Sequence, residues 1–423
     1  MNPRNTKTAQ PGSIDAIHSH FPALARVHKG RRVAYFDGPG GTQVASAVVK
    51  AMSDYLYNHN ANMHWEYPSS NETDVMIANA RAALADFLNA SPEEIIFGQN
   101  MTSVTFHLSR ALGRALKADD EVIVTELDHH SNVDSWRALE EERGVRIRVL
   151  PMKTESGQLE LEKLPHLFNK RTKLIALGAA SNALGTINDI EHVVKVAREA
   201  GVMSFIDAVH FAPHNLLDVK KIGCDFLACS AYKFYGPHIG VLYARKELLE
   251  TIDFPKVKAA ANYGPERAET GTRSHEAIVG AGAAVNFMAS LAEGGSRRER
   301  LSAFFTELHL RDRKLTRALW RGLSEGDGIE VYGPAPDRER TALVAFTVRG
   351  CPSREIAEEL AKEAIFISHG NFLAATVVER LGVAEQGLAR AGCACYTTLE
   401  EVERLVAGVR AIAKRKRGIV RKA

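Results

Sequence analysis

Cysteine is scarce. Five of the 423 residues carry a thiol (Cys224, Cys229, Cys351, Cys393 and Cys395), an odd number, so a disulfide framework is excluded and a reducing compartment expected. Cys393-Ala-Cys395 has no second Cys or His pair near it at zinc spacing, so no metal site is expected. The pair reads as alternate residues of a half-buried strand. Charge of one sign is scarce too: 54 Lys and Arg against 51 Asp and Glu leave +3, which excludes nucleic acid and membrane surfaces as expected partners. The longest apolar stretch, Ile278 to Ala292, is too short and too rich in Gly and Ala to span a bilayer, and reads as a core helix. The polar N-terminus has no apolar signal region. Together these absences predict a soluble, cytoplasmic protein. Gly38-Pro-Gly-Gly-Thr42 lacks the Lys-Ser/Thr ending of a nucleotide P-loop, leaving a tight turn or a different phosphate loop as its readings.

The pattern that is present is strand alternating with helix. Short apolar runs at Glu94–Phe97, Glu121–Thr125, Val145–Leu150, Thr172–Leu177, Val202–Ile206, Asp225–Cys229 and Gly240–Ala244 are separated, in several cases, by helical segments. This predicts a mainly parallel sheet covered on both faces, with the ligand beyond the carboxyl ends of the strands. After about Gly294 a long amphipathic helix, Ser296–Leu323, leads to a smaller α+β unit. The expected division is residues 1–30 as an N-terminal segment packing with the small domain, 31–295 as the large domain and 296–423 as the small one. Residues 1 to about 12 and the basic end, Lys414–Arg417 with Arg421-Lys422, read as disordered or frayed.

Chemistry collects at the strand ends. One apolar run ends in Asp207, followed three residues on by His210; another ends in Ser230, Tyr232 and Lys233. A carboxylate that keeps a pyridine nitrogen protonated and an amine that forms a Schiff base are what a pyridine-aldehyde cofactor needs. Thr102 and Ser103 stand where hydroxyls and helix N–H groups bind phosphate. His129 offers a ring for stacking, and Asn182 a hydrogen bond to a phenolic oxygen.

At these residues the chain resembles the class V aminotransferases, pyridoxal 5′-phosphate (PLP) enzymes of fold type I, and especially their cysteine desulfurase-like branch. The resemblance is carried, in family order, by Tyr35-Phe-Asp-Gly-Pro-Gly-Gly-Thr42, Asn100-Met-Thr-Ser103, Leu127–Val133 with Trp136, and Ser181–Thr186. It continues through Asp207-Ala-Val-His210, Ser230-Ala-Tyr-Lys233, Tyr235-Gly-Pro237, Glu269–Thr272 and Arg390–Thr398. It implies an α/β large domain with a seven-stranded, mainly parallel sheet and a smaller α+β C-terminal domain. It implies Lys233 as the Schiff-base lysine, Asp207 on the pyridinium and His129 stacked on the ring, with Asn182 and His210 near the phenolic oxygen. Met101 (through its backbone), Thr102, Ser230 and Tyr232 fall at phosphate-binding positions, and Thr272 reaches over from a second subunit of a homodimer. Arg390 would clamp the α-carboxylate of an amino-acid substrate. His64 is a candidate substrate contact, with an ordinary loop histidine as the alternative.

The chain departs from desulfurases at one place. Their persulfide-forming cysteine lies on a loop that falls here within Ser368–Ala374; Leu373 stands near that position, and Ser368 where an arginine is common. The expected function is therefore a desulfurase-like lyase acting at Cβ without a persulfide cysteine. The alternatives are an aminotransferase or amino-acid epimerase and, further off, a PLP-binding sensor without catalysis.

Overall fold

A computed structural model describes residues 12–420. The first eleven residues and Arg421-Lys422 lie outside the described residues, so most of the expected N-terminal disorder and the last basic pair have no structural counterpart here. Seven strands form the main sheet: β1 (Ile95–Gly98), β2 (Glu121–Thr125), β3 (Arg146–Leu150), β4 (Thr172–Gly178), β5 (Met203–Asp207), β6 (Phe226–Ser230) and β7 (Gly240–Ala244). Their order is β1-β7-β6-β5-β4-β2-β3. All neighbours run parallel except β7, which is antiparallel to both β6 and β1. Most of these strands are buried along their length because helices cover both faces, which is why they read as apolar runs and not as alternation.

Helix α1 (Pro68–Leu88) and helix α2 (His275–Ser290) pack together on one face. The apolar stretch expected as a core helix is α2. Helix α1 opens with Pro68 at its first position, where no N–H is required. Helix α3 (Arg297–Ser324), opened by a Ser296/Glu299 capping box, leads to a second, antiparallel sheet. That sheet holds β8 (Ile329–Tyr332), β9 (Leu343–Val348), β10 (Ser368–Gly370) and β11 (Leu388–Gly392) in the order β8-β9-β11-β10. Just before β10, Ile365–Phe366 pairs in parallel with Ala34–Tyr35, and the chain then turns into β10. Phe21 packs on Tyr235 and Phe287 of the larger unit and on Tyr396 of the smaller, so the N-terminal segment touches both.

Two expectations need correction. Cys393 and Cys395 are not in a half-buried strand: β11 stops at Gly392, and both thiols are fully buried in the segment that follows. The basic end is not frayed through Arg417. The last helix runs Leu399–Val420 because Lys416 and Arg415 pair with Glu355 and Glu359, and Arg417 with Asp327.

At the edge of the main sheet, Glu269 is completely buried. Its carboxylate accepts from Arg81 (3.0 Å), Arg273 (2.6 Å) and the backbone N–H of Phe97 (2.9 Å). This fastens the Glu269–Arg273 turn to β1. Glu269→Ala is expected to lower the unfolding free energy by about 3–5 kcal/mol in urea titrations, because Arg81 is left buried without its counter-ion.

Candidate active site

Five strand ends converge on one cavity of about 780 Å³. In register, Asp207 at the end of β5 lies level with Gly178 of β4 and Ala228 of β6. Ser230 closes β6, and a single 3-10 turn then carries Tyr232 and Lys233 into the cavity. After β2, Asp128 and His129 lead into a short turn. After β1, Asn100 caps the helix α4 (Met101–Gly113), accepting from the N–H of Ser103 at 2.9 Å. Gly240 is required opposite this cap, since a Cβ there would stand 2.4 Å from the Asn100 carbonyl carbon. The helix N-terminus is thus drawn against β7, and the N–H of Met101 donates to Ser230 Oγ at 3.0 Å.

Ten of the thirteen residues expected at the site line this cavity: Met101, Thr102, His129, Asn182, Asp207, His210, Ser230, Tyr232, Lys233 and Arg390. Ser103, whose hydroxyl is used in the Asn100 cap, does not, and neither do His64 and Thr272. His64 is exposed and turned toward two carboxylates, Asp74 (3.4 Å) and Glu266 (3.3 Å). Thr272 is exposed beside Arg273, which approaches the same Glu266 at 3.6 Å. The two therefore neighbour each other on the outer surface, away from the cavity of their own chain.

Several lining groups had no assigned role in the sequence. The Lys233 ammonium is held by the carbonyls of Pro39 and Gly40, the latter at 3.0 Å, so the glycine turn serves the lysine directly. Thr42 fastens that turn by bonding the Tyr232 carbonyl through both its N–H (3.1 Å) and its hydroxyl (3.2 Å). Asp128 accepts from the N–H of Gly178 (2.7 Å) and from Asn132 (3.1 Å), tying β2 to β4 beneath His129. Asp207 is the last residue of its strand, whereas Asp128 lies three residues beyond the end of β2. His238 stacks on Tyr232 with centroids 4.8 Å apart. Phe372 lies against Arg390, whose guanidinium carbon is 4.0 Å from the ring centroid.

Burial dominates the electrostatics. It raises Asp207 to about 6, against a backbone hydrogen bond from Val209 and the Lys233 charge. It lowers Lys233 to about 7, with Arg390 pushing the same way. Desolvation and the Lys233 charge lower His129 to about 4, so its ring is neutral and suited to stacking. Arg390 is drawn down to about 9 by burial, and Asp128 is raised to about 8. An amine near 7 beside a buried acid is the signature of a group tuned for reaction.

The buried polar atoms without partners test whether PLP fits. Asn182 Oδ1, His210 Nδ1 and Arg390 Nε are all buried and unbonded, a cost that a ligand with a phenol and a carboxylate would remove. Asp207 stands ready for a pyridinium, and the capped helix with Ser230 for a phosphate. The residues fit the group.

The class-V aminotransferase family model matches residues 34–405. The chain belongs to this family. Among relatives of the class-V aminotransferase, a cysteine desulfurase of Pectobacterium carotovorum subsp. carotovorum is 31% identical, over 94% of this chain and 98% of its own. A cysteine desulfurase of Serratia proteamaculans is 32% identical over 95% and 98%. The solved apo structure of a cysteine desulfurase from Thermococcus onnurineus superposes with a TM-score of 0.85 at 28% identity, covering 95% of this chain and 98% of that one. The protein is thus a PLP-dependent enzyme of fold type I, cysteine desulfurase-like. Among the described residues no helix is long and apolar enough to cross a membrane.

Proposed function

We propose that this enzyme cleaves the Cβ–S bond of a cysteine-type amino acid and releases the sulfur directly, without an enzyme persulfide. The observation that carries this reading is the turn Asn371–Ala374, which brings Phe372 and Leu373, and no thiol, to the cavity mouth. All five cysteines are buried, and none lines the cavity. Bound PLP supplies an electron sink for the charge that develops at Cα. The chain's own groups do the rest. Arg390 offers its unbonded Nε edge to the substrate carboxylate, while Asn182 O holds Nη1 at 2.6 Å. Lys233, half neutral near pH 7, takes the Cα proton. Asp207 holds the charge on the ring nitrogen, and His129 covers the ring face. With the Cα–H and Cβ–S bonds broken, the sulfur departs with a proton, as sulfide from cysteine or as thiol from an S-substituted cysteine, and water completes the conversion of the carbon skeleton to pyruvate and ammonia.

The reading also includes a homodimer. Trp65, Val257 and Tyr263, near His64 and Thr272, are 59%, 69% and 79% exposed, a surface suited to burial against a second copy. That copy would then receive Thr272 and His64 at its own cavity.

The test is a carbon and sulfur balance. Incubated with cysteine or with a cysteine S-conjugate, the holoenzyme is expected to give pyruvate, ammonia and the released sulfur in equal amounts, the sulfur as sulfide from cysteine and as thiol from the conjugate. Native treatment with iodoacetamide should leave the rate unchanged, since burial lifts every thiol, Cys351 to about 11 and Cys395 to about 12. Alanine as the carbon product with sulfur retained on the protein would overturn the proposal. So would stoichiometric amination of an added keto acid without sulfide or ammonia.

A further inference from the structure

We propose that Thr341, which belongs to the smaller unit, fixes the proton of His210 on Nδ1 and thereby sets the charge on the cofactor's phenolic oxygen. This rests on the reading that His210 borders that oxygen. Thr341 is 1% exposed and its Oγ1 lies 2.9 Å from His210 Nε2. The hydroxyl has one proton to give. Its other acceptor, the Gly185 carbonyl, is 3.4 Å away and already receives the Thr341 N–H at 2.9 Å. The short contact is therefore hydroxyl to Nε2, which leaves the single proton of a neutral imidazole on Nδ1. Nδ1 is the buried atom without a partner, on a residue that lines the cavity.

The surroundings keep the ring neutral. His214 packs edge-on at 5.4 Å and is itself held by Asp312 at 2.9 Å. Burial first, then the neighbouring His214 and the Arg390 and Lys233 charges across the cavity, hold the pKa of His210 well below the usual range. Thr341 is also well anchored. Its neighbour Arg340 bridges to Thr186 through the backbone and donates to the Leu184 carbonyl at 3.2 Å, so one dipeptide of the smaller unit grips the loop that carries Asn182. A neutral imidazole donating Nδ1–H to a phenolate favours the ionised oxygen and lowers the pH at which the yellow band of the bound cofactor is lost.

The experiment is a pH titration of that band in the holoenzyme. Thr341→Val should raise the midpoint by about half a unit to one unit, the worth of one hydrogen bond. Thr341→Ser should restore it, and His210→Ala should raise it at least as far as Thr341→Val. An unmoved midpoint in Thr341→Val with a raised one in His210→Ala overturns the role of Thr341 and leaves His210 beside the oxygen. Unmoved midpoints in both overturn the placement of His210, and the inference with it. Nitrogen-15 NMR of the wild-type holoenzyme tests the same point without any variant: Nδ1–H on His210 supports it, and Nε2–H overturns it.

Discussion

Lys233→Ala is expected to cost about 10³-fold or more in turnover, because both Schiff-base formation and the base at Cα are lost with one amine. The purified variant should lack the yellow absorbance and leave every amino acid of a test panel unconverted. Retained turnover would refute the assigned chemistry. The wild-type apoprotein gives a matching pH signature. Its lysine is lowered to about 7, and only the neutral amine attacks an aldehyde. Reconstitution with PLP should therefore accelerate as pH rises through about 7, where an unperturbed lysine would keep accelerating toward about 10.4.

Asp207→Asn should reduce turnover by about 10²-fold or more while PLP remains bound, since the amide keeps the shape of the carboxyl and loses the charge opposite the ring nitrogen. The same variant tests the link to Lys233. The Asp207 charge raises the lysine pKa against the stronger effects of burial and Arg390. Its removal lowers that pKa further, so the reconstitution midpoint should move to lower pH. Turnover within a factor of about two of wild type would show that Asp207 does not face the ring.

The sheet was legible because all of its strands except β3, which carries Arg146 and Arg148 and is only partly buried, are short apolar runs buried on both faces and bounded by polar or turn residues. The run Glu121–Thr125 matches β2 residue for residue. Strand β8 was not anticipated, because Ile329–Tyr332 is only partly buried and reads as neither pattern. Asp207 and Lys233 stood out because a charged group closing an apolar run has to be compensated. Thr341 and Phe372 did not stand out, since what matters about each is a contact across more than a hundred residues of chain. Asp128 lies three residues past the end of β2, so the run itself does not mark it. Cys393 and Cys395 have the spacing of a half-buried strand, but they lie past the end of β11 in a segment where the intervening Ala394 is buried as well.

The Asn371–Ala374 turn is fastened almost wholly through its backbone. The Phe372 carbonyl accepts from Asn182 at 2.9 Å, and the Leu373 carbonyl from the N–H of His130 at 2.6 Å. Both residues hold positive φ, 55° each. That conformation costs a side chain unbranched at Cβ, such as leucine, roughly 1–2 kcal/mol, and the backbone hydrogen bonds hold the turn in it. Position 373, 63% exposed at the cavity mouth, is thus a replaceable fitting on an unchanging frame. Within this architecture a substitution at that position changes what stands at the cavity mouth, while the backbone contacts behind it stay as they were.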